Sequence, residues 1–278
     1  MIRTPLPMMC LSLALLMPLS ALADDHCTHS APRQLKLDLQ GAKAVVFEVA
    51  SHELVLNARP GAAGELSGRA CAAEAEWLEQ LTVTQRRQGD KLVVSLAREQ
   101  GHRGWFSGDH AHMRMSGTLP DTMPVQIKVG SGEAEIDGAP LVSVDVGSGE
   151  ARVKRTRGLV AADVGSGEID IENAGALKVI GVNSGDVSAR DVRGEVSVGR
   201  VGSGEFDLVG ARGPVRIGAI GSGAADVSRI DSDVEVESIG SGQVEARDIR
   251  GNLTVKSIGS GSADHSGIGG QVRLPAEH

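Results

Sequence analysis

The run Val201-Gly202-Ser203-Gly204-Glu205 decides the fold, because seven close copies of it recur along the second half of the chain. The first residues of the eight copies are separated by steps of 17, 18, 18, 19, 19, 19 and 19 residues. A near-constant period is typical of a solenoid in which each repeat adds one coil. Within each copy, the Gly-Ser-Gly corner begins at Gly130, Gly147, Gly165, Asn183, Gly202, Gly221, Gly240 or Gly259.

Apolar residues flank every Gly-Ser-Gly corner at a spacing of two. Around Gly204, for example, Val201 precedes the corner, and Phe206 and Leu208 follow it. Alternation with period two is strand geometry, and it cannot place residues on one face of a helix. Each repeat is therefore a strand, a corner and a second strand. The sequence predicts an all-β protein, a single-stranded parallel β-helix of about 19 residues per coil.

The composition agrees with a folded protein whose core is built from small aliphatic side chains. The 278 residues include 37 Gly, 3 Phe and 2 Trp but no Tyr, and 41% are hydrophobic, too many for a disordered chain. The 36 acidic residues outnumber 28 Lys and Arg, so the formal net charge is -8. The chain thus lacks the basic surface that neutralises phosphates, and nucleic acid is not expected as a partner.

The corner glycines call for a backbone explanation. Asn183 replaces the first glycine once, and Asn tolerates left-handed dihedral angles best after Gly, so we expect a positive φ at that position. The third corner residue is always Gly, which predicts either a special conformation or a contact between coils that excludes a Cβ atom. A phosphate-binding loop is the functional alternative, but such loops open a helix and these open strands. The eight third residues are Gly132, Gly149, Gly167, Gly185, Gly204, Gly223, Gly242 and Gly261.

The steps lengthen at two places. One residue is added in the loop between Val153 and Val160, and another before the corner, first between Val179 and Val182, which predicts a β-bulge. We expect the cross-section of the solenoid to widen along its axis.

The outward positions carry two charge patterns. Signs alternate between successive coils at some positions, as in Glu135, Arg152 and Asp170, which predicts pairing across coils. Directly after the corners, five successive coils instead carry only carboxylates, and the next three carry Ala224, Gln243 and Ser262. We take this acidic row as a candidate interaction surface for divalent cations or a basic partner. The alternative is a solvated edge that keeps the solenoid soluble. The row is Glu133, Glu150, Glu168, Asp186 and Glu205.

Residues 1–23 are predicted to be a cleaved signal peptide. Arg3 precedes an apolar run that ends in Ala21-Leu22-Ala23, a small-x-small cleavage pattern. An uncleaved anchor is the alternative, but the run is shorter than the roughly 20 residues that a spanning helix needs. We therefore expect a mature N-terminus at Asp24, no membrane span after cleavage, and a periplasmic or secreted protein.

Two cysteines remain after the signal peptide. Cys27 and Cys71 form an even pair in an exported protein, which favours a disulfide. Because His26 and His29 flank Cys27, a metal or redox site is the alternative interpretation.

Residues 24–124 are predicted to be irregular β coils that also cap the N-terminal end, and residues 125–278 the regular β-helix. The stretch from Val49 to Glu53 resembles a degenerate corner. The segment from Arg98 to His112 contains Trp105, Phe106, His102 and His110. It is interpreted either as a flap whose aromatic side chains plug the solenoid or as a ligand or metal loop.

The signal peptide, the Leu119-Pro120 and Pro124-Val125 entry and the Val-Gly-Ser-Gly-Glu corners resemble a bacterial family of exported β-strand-repeat proteins of unknown function. That family is related to the adhesin-head, or GIN, domain. The resemblance covers about residues 35–274 and implies a single-stranded parallel β-helix, most often right-handed. It supplies no catalytic residues.

The sequence favours a non-catalytic exported solenoid, an envelope scaffold or an adhesin-like interaction surface whose partner is an envelope protein or a surface glycan. We predict no catalytic residue, cofactor or metal site. The alternative is a carbohydrate-active β-helix enzyme. Such enzymes need clustered carboxylates, aromatic sugar platforms and long loops, whereas Phe206 is the one aromatic residue after residue 124.

Overall fold

The structure is a computed structural model that describes residues 27–99 and 111–275. Within these residues the chain is nearly all β and forms two sheets of 12 strands. The N-terminal elements are β1 (His29–Lys36), β2 (Ala44–Ala50), β3 (Glu53–Arg59), β4 (Glu65–Ala72), α1 (Ala75–Gln80), β5 (Leu81–Gln88), β6 (Lys91–Arg98) and β7 (Ala111–Pro120).

The repeats supply the remaining strands as eight coils, each with one strand in each sheet. The first four coils are β8 (Val125–Val129) and β9 (Glu133–Asp137), β10 (Val142–Val146) and β11 (Glu150–Lys154), β12 (Leu159–Val164) and β13 (Glu168–Glu172), β14 (Ala176–Val182) and β15 (Asp186–Val192). The next four are β16 (Val196–Val201) and β17 (Glu205–Ala211), β18 (Val215–Ile220) and β19 (Ala224–Ile230), β20 (Val234–Ile239) and β21 (Gln243–Ile249), β22 (Leu253–Val255) and β23 (Ser262–Ile268). The edge strand β24 (Val272–Arg273) follows.

The two sheets enclose one apolar core, as the alternation predicts. Sheet A has the order β1-β4-β7-β3-β9-β11-β13-β15-β17-β19-β21-β23, and sheet B the order β24-β22-β20-β18-β16-β14-β12-β10-β8-β2-β6-β5. Successive coils pair in parallel, so that Val144 lies between Ile127 and Ala162. The inward residues are buried in every coil but the last, where Ile258 and Ala263 are partly exposed. The predicted β-solenoid is confirmed.

Both predicted insertions are visible in the strand register. The pairing of β12 with β14 shifts after Ala162, which leaves Ile180 as the bulged residue, 55% exposed. The strands of sheet A lengthen from five residues in β9, β11 and β13 to seven from β15 onward. The loop insertion is seen in the pairing of Ile136 with Val153 and of Val142 with Val160, because Val142 follows Ile136 by six positions and Val160 follows Val153 by seven. The later coils therefore contain two residues more than the first coil.

The predicted positive φ at the Gly-Ser-Gly corner is wrong. No residue of the eight corners has one, whereas the residue eight places after the first corner residue is left-handed in all eight coils. The chain turns from sheet A towards sheet B at that second corner, and several non-glycine residues take the conformation there. The left-handed residues are Gly138, Arg155, Asn173, Asp191, Gly210, Arg229, Asp248 and Gly267.

The invariant third glycine is explained by the alternative expectation, a contact between coils. A Cβ atom built on Gly204 would overlap the carbonyl oxygen of Gly185 in the preceding coil. The same overlap occurs at Gly132, whose neighbour is the carbonyl oxygen of His52, and at each later third glycine. Val49 to Glu53 therefore forms an earlier corner that packs against the first Gly-Ser-Gly corner, but Ala50 at its first position has a φ of +51°, unlike the corresponding residue of the eight later corners.

The N-terminal coils do not stack in chain order. β2 and β3 form one coil, residues 44–59, which we call the inserted coil. It pairs in parallel with β8 and β9 on one side and with β6 and β7 on the other. Beyond β6 and β7, the antiparallel strands β5, β4 and β1 cover the end of the sheets. These edge strands come from both sides of the inserted coil in the chain, and the capping role of residues 24–124 stays a prediction.

A disulfide joins Cys27 to Cys71, with the two Cα atoms 5.4 Å apart, as the cysteine count predicts. It ties the start of β1 to β4 and removes both thiolates from the metal or redox alternative. None of the helices in the described parts of the chain is long and apolar enough to cross a membrane.

Candidate interaction surface

A shallow groove follows the Gly-Ser-Gly corners along the solenoid. Its floor is the glycine backbone, one side is the row of corner serines, and the other is the residue directly after each corner. The stretch from Ser131 to Asp186 encloses about 380 Å³ and the stretch from Ser184 to Ser262 about 530 Å³. All eight serines are exposed: Ser131, Ser148, Ser166, Ser184, Ser203, Ser222, Ser241 and Ser260.

The five predicted carboxylates lie side by side on this groove. The register pairs Glu133 with Glu150, Glu150 with Glu168, Glu168 with Asp186 and Asp186 with Glu205. Neighbouring coils of a sheet are about 4.8 Å apart, so the row is continuous. The stacking of the row follows from the repeat, while its role in binding stays a prediction.

The structure adds a sixth carboxylate that the sequence reasoning missed. Glu53 pairs in register with Glu133, because β3 precedes β9 in sheet A. The degenerate corner at Val49 to Glu53 was the available signal. Glu53 forms an ion pair with Arg114 at 3.0 Å, so the row is partly neutralised at its N-terminal end.

Beyond Glu53, the negative charge of the acidic row is little compensated by nearby cationic side chains. Glu150 pairs with Arg152 on its own strand, but in the described chain Glu133, Glu168 and Asp186 have no ion pair. Partial burial, together with the charges of Asp170, Glu150 and Asp186, raises the pKa of Glu168, and the charge of Arg152 only partly opposes this rise. The charge of Asp207, partial burial and the charges of Asp226 and Asp186 raise the pKa of Glu205. The row therefore favours any cation that reaches the groove.

The alternating charges predicted elsewhere do face one another in the first coils. Lys154 forms an ion pair with Glu135 at 3.1 Å, and Arg152 lies 3.8 Å from Asp170. In the second half, however, the same position carries Asp207, Asp226, Glu245 and Asp264 in register. A second acidic column thus runs beside the neutral end of the first row.

Glu205, Asp207 and Asp226 form a cluster where the two acidic columns meet. One carboxylate oxygen of each lies within 4.8 Å of the others. Burial and neighbouring carboxylates raise the pKa values of Asp207 and Asp226, and the nearby Arg247 opposes this rise. Three carboxylate oxygens are ligands that a calcium ion prefers. The sequence analysis did not group these positions, because it followed this column only to Asp170 in the third coil.

Among the described residues, no aromatic side chain lines the groove. Phe206 is fully buried between the sheets. Trp105, Phe106, His102 and His110 of the predicted flap or ligand loop lie outside the described residues.

Solved structures of Parabacteroides proteins have a similar fold. The chain resembles a candidate adhesin from Parabacteroides merdae at TM-score 0.55 and 13% identity, over 86% of this chain and 97% of that one. A candidate adhesin from Parabacteroides distasonis gives TM-score 0.52 and 12% identity, over 86% and 97%. A candidate lipid-binding protein from the same species gives 0.51 and 14%, over 87% and 98%. These similarities show the fold. No protein-family model and no curated protein matches the chain.

Proposed function

We propose that this chain is a non-catalytic, exported β-solenoid that binds a partner along its corner groove, as an adhesin-like surface or an envelope scaffold. The observation that carries the proposal is the unbroken acidic row beside a row of exposed serines. Two further observations support it: the structural neighbours include candidate adhesins, and the predicted signal peptide implies export.

The groove offers the chemistry of an extended polar ligand. Serine hydroxyls both donate and accept hydrogen bonds, and ionised carboxylates only accept them. The serines recur at all eight coils and the carboxylates at the first five, about 4.8 Å apart. A surface glycan or an extended segment of an envelope protein can repeat its contacts at such a spacing. Divalent cations would bind the carboxylates directly or bridge them to an anionic partner.

The second candidate function is that of a carbohydrate-active enzyme. Other β-helix proteins with clustered carboxylates have such activity. The cluster of Glu205, Asp207 and Asp226 is the feature that favours it. The burial of Phe206 and the short turns of the regular coils favour binding without catalysis. Release of reducing ends from envelope polysaccharides by the wild-type protein, lost in Asp207→Asn, would establish the enzyme instead.

The proposal is tested by binding to whole cells and to purified surface polysaccharide. The chain without residues 1–23 is labelled, and its retention is compared with that of the triple variant Glu133→Gln, Glu168→Gln, Glu205→Gln. The matched control is Glu65→Gln, Glu74→Gln, Glu76→Gln, which removes the same charge from exposed positions of the N-terminal cap. We expect at least a tenfold loss of retention in the groove variant alone. Equal retention of all three proteins would contradict the proposal that the groove binds the partner.

A calcium titration separates the cation role from the solubility role of the acidic row. A rise in melting temperature at millimolar calcium that is lost in the Glu150→Gln, Glu168→Gln double variant supports a cation site on the row. A rise that is lost only in Asp226→Asn assigns the cation to the cluster. No shift leaves the row to a protein partner or to solubility.

A further inference from the structure

The inserted coil occupies a slot between two coils that are consecutive in the chain. Strand β7 ends at Pro120 and β8 begins at Val125, yet β2 and β3 lie between them in the sheets. Later coils that follow one another in the chain stack directly. To reach across the inserted coil, residues 121–124 cross the connection that leaves β3, and the amide of Asp121 donates to the carbonyl of Arg59 at 3.2 Å. Crossing connections at one edge of a sheet are uncommon.

The slot is filled by contacts that any copy of residues 44–59 could make. Val45 and Phe47 of β2 and Leu54 and Leu56 of β3 are fully buried. Each strand of the inserted coil has a parallel hydrogen-bonded neighbour on both sides. These contacts depend on the shape of the slot. They would be the same if residues 44–59 came from a second copy of the chain.

A short turn is the covalent link between the inserted coil and β4. It comprises residues 60–64, in which Gly61 and Gly64 have φ of +72° and +83°. Extending this turn would carry β1, β2 and β3 away from β4 as one unit, residues 27–59. The disulfide crosses the same boundary, since Cys27 belongs to the unit and Cys71 to β4.

We propose that residues 27–59 exchange between two copies of this chain, so that each copy fills the slot of the other. Every contact outside the 60–64 turn is the same in the monomer and in the exchanged dimer. For this reason the exchange costs little free energy. The balance is then set by concentration, because a short flexible link gives an effective concentration of the order of 1 mM. Refolding at about 0.1 mM protein should place roughly one tenth of the chains in dimers.

The two cysteines provide a direct test. Cys27→Ser and Cys71→Ser variants lacking residues 1–23 have one cysteine each, and neither can close the disulfide within one chain. Unfolded together and refolded under oxidising conditions, they should give a covalent heterodimer that joins Cys27 of one chain to Cys71 of the other. Its share should rise in proportion to protein concentration.

Control reactions exclude other routes to the same band. The variants folded separately and then mixed should give at least tenfold less heterodimer, because Cys71 is buried at 6% exposure. Absence of the heterodimer from co-refolded, properly folded protein would overturn exchange, as would an equal yield from proteins mixed after folding. If the single-cysteine variants do not fold, exchange is tested by refolding the wild-type chain under oxidising conditions at several protein concentrations. A disulfide-linked dimer that grows with refolding concentration supports exchange, and monomer at every concentration refutes it.

A hinge variant tests the mechanism independently. Gly61 and Gly41 have the same φ of +72°, and a Cβ atom would meet nothing within 4 Å at either residue. Gly61→Val strains the turn at the proposed hinge, whereas Gly41→Val strains a turn that moves with the unit. We expect several times more dimer in Gly61→Val than in the wild-type chain, and no increase in Gly41→Val. Equal dimer in the two variants would contradict the hinge.

Discussion

The carbonyl oxygen of Gly185 lies against the Cα atom of Gly204 in the next coil, and this contact leaves no space for a Cβ atom. The amide of Glu205 donates to the same carbonyl oxygen at 3.2 Å, so the two backbones cannot separate without losing a hydrogen bond between coils. The third corner glycine is thus required by packing between coils, since its φ is outside the left-handed region.

Gly204→Ala should therefore lower the free energy of unfolding by about 3 kcal/mol, at the upper end of what overpacking usually costs. The cause is a backbone clash that a rotamer change cannot relieve. Denaturant unfolding followed by circular dichroism measures the loss. Ser203→Ala, at the exposed neighbouring corner position, should change stability by less than about 0.5 kcal/mol. A Gly204→Ala protein as stable as Ser203→Ala would show that the corner adjusts freely.

Thr156 is a polar side chain in an apolar column. Its hydroxyl is buried and has no hydrogen-bond partner in the part of the chain that the structure describes, while Ala139 and Ala174 occupy the same inward position in the adjacent coils. Thr156→Val keeps the shape and removes the unsatisfied group, so we expect a gain of about 1 kcal/mol in the free energy of unfolding. Thr156→Ser keeps the hydroxyl and loses a methyl group, and it should be less stable than the wild-type protein. If Thr156→Val is less stable too, the hydroxyl has a partner such as an ordered water.

The coils could be predicted from the sequence, because the same apolar alternation repeats in each of them. Alternation at a spacing of two places Val201, Phe206 and Leu208 on one face, and the fixed period stacks that face eight times. The position of positive φ was not predictable in this way. Arg155 and Arg229 take the left-handed conformation that usually marks Gly or Asn, whereas Asn183 has an ordinary φ. Residue type was therefore misleading at both corners.

The order of the N-terminal coils also escaped the sequence. Alternation states which face of a strand is buried, but it does not say which strands are neighbours. The intercalation of β3 between β7 and β9 joins segments about 60 and 80 residues apart, and no periodic signal marks it. For the same reason Glu53 was missed in the acidic row, while Glu133 to Glu205 were placed correctly in register by the repeat.

His52 should make the N-terminal coils sensitive to acid. The side chain is 3% exposed, and its Nδ1 atom accepts a hydrogen bond from the Met113 amide at 3.4 Å, while Nε2 has no hydrogen-bond partner among the described residues. Burial, with a smaller contribution from His112 on β7, lowers the pKa of His52 from 6.5 to about 4. A histidine buried in the neutral form contributes stability that is complete above pH 6.5 and is lost as the pH falls towards 4.

The measurement is the melting temperature between pH 7.5 and 4.5 for the wild-type chain and for His52→Gln, which cannot titrate. We expect the wild-type protein to lose more stability than the variant on acidification, with the difference appearing below about pH 6.5. Parallel pH profiles would show that His52 is protonated without cost or that other groups govern the acid response.

Asp226 is expected to destabilise the native protein at neutral pH. Partial burial and the charges of Asp207 and Glu245 raise its pKa, and Arg247 only partly offsets them. A carboxyl group whose folded-state pKa is raised favours the folded state at low pH, and this contribution is lost as the pH rises through that value.

Asp226→Asn should therefore be more stable than the wild-type protein at pH 7, by less than about 1 kcal/mol because solvent screens the site. The gain should shrink as the pH falls through the raised pKa of the wild-type carboxyl. Asp137→Asn is the matched control, since Asp137 is paired with Arg155 and its loss should destabilise at pH 7. A destabilised Asp226→Asn protein in metal-free buffer would mean that this carboxylate makes a favourable interaction, and the explanation by mutual repulsion would then fail.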